Sequence, residues 1–285
     1  MILYPTRNTR RIAQLVLAIP FILVASALAR IPAKSDSSLQ PEDLLRQAVA
    51  NEKLSAKDGY FAWTDRLQKP RGSVTKLMVN TPQGILSRTV AINDHALSAD
   101  EHQQDEDRIN RLLDPAKMRD KAAKQREDQQ HIERLLLALP DAFQCQYETA
   151  QDDRNFHLQC SPNPRFSVPN YESQVLQGMN AKIVIDREDL RISRIEGTLF
   201  RDVNFGWGFL GRLNRGGHIE IIQSRVTGKH WGMQRMQLVF DGRIVVVKPL
   251  HIEETETSWD YHQVPNMSVA QALEYLRNST AKSVH

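Results

Sequence analysis

Two cysteines carry the most explicit chemistry in this chain. Phe143, Cys145, Tyr147 and Thr149 alternate with polar neighbours, Asp152-Asp153 offers a turn, and Phe156, Leu158 and Cys160 alternate again. A two-residue turn at Asp152-Asp153 places Cys145 opposite Cys160, Tyr147 opposite Leu158 and Thr149 opposite Phe156. Partners on one face of a hairpin lie within disulfide reach. The spacing therefore predicts a Cys145–Cys160 bridge in an oxidising compartment, whereas a slip of one residue would leave two buried thiols.

Other reactive constellations are few. The sequence has no Gly-x-Ser-x-Gly elbow, no His-Glu-x-x-His, no Cys-x-x-Cys and no phosphate loop ending in Gly-Lys-Ser/Thr, so no catalytic residue and no cofactor is assigned. Gly206-Trp207-Gly208-Phe209-Leu210-Gly211 has the spacing of a dinucleotide cradle. No βαβ pattern surrounds it and no acidic residue follows about twenty positions on, so it reads as a glycine-rich connection between strands, with one helical turn at Phe209 to Leu213. His95 and His102 lie near Asp94, Asp100 and Glu101, but helix-start polarity accounts for that grouping and no metal site is assigned. Glu253, Glu254 and Glu256 read as solvated charge at the end of an edge strand.

The elements that must position these residues begin after an export signal. Arg7, Arg10 and Arg11 precede an apolar run from Ile12 to Ala29 that ends Ala27-Leu28-Ala29, the layout of a cleavable signal peptide over residues 1–29. The run is short for a membrane span and contains Gln14 and Pro20, so a retained anchor is the weaker reading. Losing the three leader cations leaves 34 Lys plus Arg against 34 Asp plus Glu, which gives no electrostatic reason to expect nucleic acid. The expected product starts near Arg30 and is periplasmic.

Residues 30–285 suit one domain with a packed core. Residues 41 to 53 form a short amphipathic helix with Leu44, Leu45, Ala48 and Val49 on one face. Strands at Tyr60 to Leu67, Ser73 to Asn80 and Ile85 to Ile92 are separated by Pro70-Arg71-Gly72 and Pro82-Gln83-Gly84, an antiparallel meander. A helical insertion follows at about 98–139: Ser98 and Glu101 match a capping box, and Asp114-Pro115 starts a second helix that is wet from Lys117 to Gln130 and apolar only at Ile132 to Leu139. Its charged face reads as solvated. From Gln174 the chain reads as strands at 174–186, 191–203, 218–226, 231–241, 243–252 and 257–262, with turns at Asp186 to Asp189 and at Asp241-Gly242. Ser268 and Gln271 cap a closing helix.

Many alternating strands with few covering helices leave apolar sheet surface, which marks a ligand groove or a partner site. The candidate ligand-binding residues are Phe61, Trp63, Trp231 and Met233 on the sheet, with Phe205, Trp207 and Phe209 either lining a cavity mouth or packing on the sheet.

The phrases Val175-Leu176-Gln177-Gly178-Met179, Ile183 to Asp186, Arg194-Ile195-Glu196-Gly197, Arg201 to Gly208 and Gly216-Gly217 resemble an uncharacterised family of exported bacterial proteins. That family is similar to the outer-membrane lipoprotein-sorting proteins. The resemblance spans about residues 41 to 278 and implies an α+β fold, a strongly curved antiparallel sheet forming an unclosed β-barrel covered by helices. It also implies a hydrophobic concavity for a lipid or an acylated lipoprotein, and a monomeric, non-enzymatic protein. The alternative is a sensing or structural module that fills its cavity with side chains and meets an envelope protein partner.

Overall fold

The computed structural model describes residues 39–55, 59–149, 152–170, 172–206, 210–244 and 248–279. The leader read at 1–29 lies outside them, as do Trp207 and Phe209.

The fold is α+β. Helix α1 (Pro41–Ser55) precedes strands β1 (Tyr60–Lys69), β2 (Gly72–Thr81), β3 (Gly84–Ile92) and β4 (His95–Ala96). Helices α2 (Ala99–Asn110) and α3 (Pro115–Ala142) follow, joined by a 3-10 turn at Arg111–Leu113. Strands β5 (Phe143–Tyr147), β6 (Asn155–Pro162), β7 (Met179–Asp186), β8 (Ile192–Leu199), β9 (Val203–Phe205), β10 (Gly211–Leu213), β11 (His218–Thr227), β12 (His230–Ile244) and β13 (Lys248–Val264) lead to α4 (Val269–Asn278). The sheet is ordered β4-β3-β2-β1-β13-β12-β11-β8-β7-β6-β5 and is antiparallel throughout, with β10 attached to β12 and β9 to β10. No pairing joins β4 to β5 among the described residues, so the sheet is open.

Local sequence explains most boundaries. Gly72 and Gly84 take φ of +140° and +130°, backbone that favours glycine, and they turn the meander at its two tight corners. Ser98 with Glu101 and Ser268 with Gln271 form complete capping boxes on α2 and α4, and Asp114 caps α3 ahead of Pro115.

The wet stretch of α3 has a use that the reading as solvated surface missed. β4 pairs with only the last residues of β3, leaving the outer backbone of β3 from Ile85 to Thr89 without a strand partner. Side chains supply one. Gln125 accepts from Ile85 N–H at 3.1 Å and donates to its carbonyl at 3.0 Å, and Lys121 donates to the same carbonyl. From α2, Arg108 donates to Ser87 O at 2.7 Å and Asp105 accepts from Thr89 N–H at 3.1 Å. The insertion thus covers an edge that would otherwise invite another strand.

One turn lies elsewhere than Asp241-Gly242. β12 runs straight through both residues to Ile244, and β13 runs unbroken to Val264, merging two expected strands. Gly242 serves close approach instead: a Cβ there would meet Arg212 O of β10 at 2.0 Å. Gly211–Leu213 is likewise a strand paired with β9 and β12, not a helical turn.

Three clusters make the core. One joins α1 and the end of α3 to β5–β8 through Leu44, Leu45, Leu139, Leu158 and Ile183. A second packs α2, α4 and the start of α3 on β1–β3 through Ile109, Leu273, Leu276, Val79 and Leu86. Among the described residues the third contains no helical one.

Candidate functional site

That third cluster is where the sheet is least covered by helices. Met179, Leu199, Met236, Leu238, Phe240 and Ile252 come from β7, β8, β12 and β13, and all are buried. Beside the end of β12 the β9–β10 hairpin, called the flap here, extends the sheet and contributes Val203, Phe205 and Leu213 to the same cluster. Each flap strand is three residues long. Glycines seat it: besides Gly242 beneath Arg212, a Cβ at Gly178 would meet Val203 at 2.3 Å. So small a hairpin has few bonds to hold it shut, and such segments open locally far below the cost of global unfolding.

Sequence reasoning put seven residues in one ligand site, and the described ones fall into three neighbouring groups. Phe205 and Met233 belong to the strand-only cluster. Phe61 stacks on His230 with ring centroids 3.7 Å apart, and Trp63 stacks on Tyr261 at 5.8 Å. Trp231 donates from Nε1 to Asp189 at 2.7 Å, with the Arg191 guanidinium over its ring at 5.5 Å. Met233 links two groups, because its carbonyl accepts from the Tyr261 hydroxyl at 2.7 Å.

Several polar residues beside these aromatics escaped the sequence reading. β13 lies between β1 and β12, not at an edge. Ser258 donates to Asp65 at 2.8 Å, both being buried, and Glu256 hydrogen-bonds to Asp65. Burial first, and then the charge of Asp65, push the Glu256 carboxyl up to about 9, so it holds a proton at neutral pH. Asp65 is also raised by burial, against the pull of Ser258. Burial lowers Lys76, with the nearby Arg108 charge acting the same way. His230 is driven down to about 4, chiefly by burial and then by the Arg191 charge, and its Nδ1 is buried without a hydrogen-bond partner. The period-two alternation of Glu254, Glu256 and Ser258 against Glu253, Thr255 and Thr257 was the available signal, since it requires one set to face inward once the strand is central.

Such a neighbourhood can hold neutral or protonated groups in an apolar setting. No protein-family model matches the chain, and no curated protein matches it either. The disulfide is present: Cys145 pairs with Cys160 across β5–β6, and both lie against the first core cluster. It suits an extracytoplasmic compartment. Among the described residues, no helix is long and apolar enough to cross a membrane.

Proposed function

We propose that this is a non-enzymatic cell-envelope protein of lipoprotein-carrier layout. It holds an acyl chain, from a lipid or an acylated lipoprotein, against the strand-only apolar cluster beside the β9–β10 flap. The observation that carries this reading is that, among the described residues, the cluster is completed by a hairpin of two three-residue strands and by no helix. Each methylene buried there contributes about 0.8 kcal/mol, so a few methylenes offset the lifting of a weakly held flap.

The course of α3 supports an unclosed, curved sheet. Gln125 bonds β3, and α3 runs directly into β5 at Phe143. From Gln125 to Ala142 the helix covers about 26 Å at about 1.5 Å per residue. β3 and β5 are nine strand spacings apart in the sheet order, which if flat would take about 43 Å at about 4.8 Å each. That difference is what favours a curved sheet in this reading.

A second reading, the filled module that meets a protein partner, is favoured by burial: Phe61 is 3 % exposed, and Phe205 and Trp231 are each 8 % exposed. Titrating delipidated protein with a fluorescent fatty acid separates the two. The carrier reading expects saturable binding that Phe205→Ala weakens, and a Gly242→Ala variant whose displaced flap exposes the Gly211–Leu213 amides to faster hydrogen exchange. A folded, delipidated protein that takes up no fatty acid leaves the filled module.

A further inference from the structure

Lys76 of β2 is a half-buried cation that bonds nothing. Its ammonium makes no hydrogen bond and no ion pair with any described residue, and its nitrogen is not among the fully enclosed ones, so it keeps contact with solvent. Two further cations reach the same part of the sheet from the helices. Arg108 of α2 donates through Nη2 to Ser87 O at 2.7 Å, and Lys121 of α3 donates to Ile85 O, two residues away on the same edge of β3. Thr89 of that strand stands directly opposite Lys76. The Arg108 charge acts on both lysines, and the Lys76 charge acts on Lys121. The carboxyls that act on Lys76 are taken. Asp105 accepts from Arg108 on one oxygen and from Thr89 N–H on the other, Asp65 is bonded by Ser258 and Glu256, and Glu256 holds its proton. A charge in a poorly solvated place is ordinarily paired, so the ammonium left over in this cluster calls for an anion.

Lys76 also shares a face of the sheet with the strand-only apolar cluster. Directly opposed residues of an antiparallel pair point the same way, as do residues two apart on one strand. Lys76 opposes Asp65, Leu67 two residues on opposes Glu256, and Glu256 opposes Met236, whose neighbour on that face is Leu238. Met236 and Leu238 belong to the cluster. From β2 to β12 is three strand spacings, about 14 Å at about 4.8 Å each. The ground between them suits a hydrocarbon chain, because Leu67 is apolar and Glu256 is uncharged while it keeps its proton.

We propose that Lys76, with Arg108 and Lys121 beside it, holds the anionic head of the acyl ligand, a carboxylate or a phosphate, while the chain runs across β1 and β13 to Met236 and Leu238. This rests on the acyl-carrier reading and names the chemistry of the ligand's head. Lys76 has every ammonium proton to give, Lys121 keeps two beyond the one that Ile85 O takes, and Arg108 Nη1 bonds no described residue. Neighbouring cations with spare N–H donors suit the several oxygens of one acidic head. An alcohol or an ester head would leave the Lys76 charge as it stands.

Isothermal titration of delipidated protein with dodecanoate, dodecyl phosphate and dodecanol, each below its micelle-forming concentration, tests the proposal. At least one acidic ligand is expected to bind tenfold or more tighter than dodecanol. In Lys76→Met, which keeps the apolar stem, that margin should vanish while dodecanol binds as before; Lys76→Arg should keep most of it. Lys76→Met should melt no lower than the parent, because the ammonium bonds nothing in the protein, so a lost margin is not lost folding. A margin for dodecanoate assigns a fatty-acid head, and a margin for dodecyl phosphate assigns a phospholipid head. Inorganic phosphate that binds as tightly as dodecyl phosphate overturns the proposal, because a soluble anion then accounts for the site. Dodecanol that binds as tightly as both acidic ligands, or a margin that survives Lys76→Met, overturns the head site and leaves the acyl reading standing. Folded protein that binds none of the three chains overturns both.

Discussion

Glu52 and Arg191 stand 139 positions apart and meet as a two-pronged ion pair, with Arg191 Nε and Nη2 donating to the two carboxylate oxygens at 2.8 and 2.7 Å. Their side chains are 2 % and 5 % exposed. The same carboxylate accepts from Ile192 N–H at 2.9 Å and from Gln223 at 3.0 Å, so one residue of α1 ties together β8 and β11. Removing one partner of such a pair strands the other charge in the interior. Glu52→Ala is expected to cost about 3–5 kcal/mol, and replacing both residues by apolar ones of similar size is expected to cost less than either single change. Urea unfolding of the three variants checks this ordering, and a Glu52→Ala protein within about 1 kcal/mol of the parent would contradict it.

The hairpin disulfide closes a short loop, 15 positions between its cysteines. Loop-closure entropy of that length corresponds to about 3 kcal/mol, and the Cys145→Ala/Cys160→Ala double variant is expected to lose about 2–3 kcal/mol of stability. Thiol labelling of the unfolded, unreduced protein should find no free thiol. Labelling of both cysteines would refute the bridge.

The register of this hairpin was readable because two alternations and a turn lie within twenty residues of one another. Cys145 faces Cys160 and Tyr147 faces Leu158 as the spacing requires, with β5 ending at Tyr147. The helix starts were readable for the same local reason, since Ser98–Glu101 and Ser268–Gln271 each act within one turn. Gly242 misled because a glycine beside an aspartate looks the same in sequence whether it turns a chain or clears space for Arg212. The helix α3 was legible as wet but not as a cover for β3, because its partners Ile85 and Gln125 are forty positions apart and meet only through the tertiary fold. The burial of Glu256 depended on β13 lying beside β1, a pairing between the two ends of the chain. Phe61 and Trp63 could be recognised as inward-facing strand aromatics, but their stacking partners His230 and Tyr261 come from β12 and β13.

That long-range pairing gives the protein a pH dependence with a definite sign. Glu256 titrates near 4.5 as a free side chain and is pushed up to about 9 in the fold, mainly by burial and then by Asp65. Between those values the folded state keeps a proton that the unfolded chain has released, so this group's contribution is complete below about pH 4.5 and declines until about pH 9. Other groups act at the edges of that range. His230, lowered from 6.5 to about 4, costs stability as pH falls through that range, because the unfolded chain takes up a proton that the folded ring refuses. Lys121, lowered from 10.5 to about 8, makes stability rise with pH above about 8. From about pH 6.5 to 8 Glu256 contributes a fall of up to about 1.4 kcal/mol per pH unit, and His251, raised above its ordinary 6.5 by its hydrogen bond with Asp241, adds a fall in the same sense. Glu256→Gln keeps a donor for Asp65 and removes this titration, so its stability should fall less steeply than the parent's across that window while the loss on the acid side, due to His230, remains. Urea midpoints measured from pH 5 to 9 decide the matter: an unchanged slope between pH 6.5 and 8 in Glu256→Gln would mean that this carboxyl does not hold its proton in the folded protein.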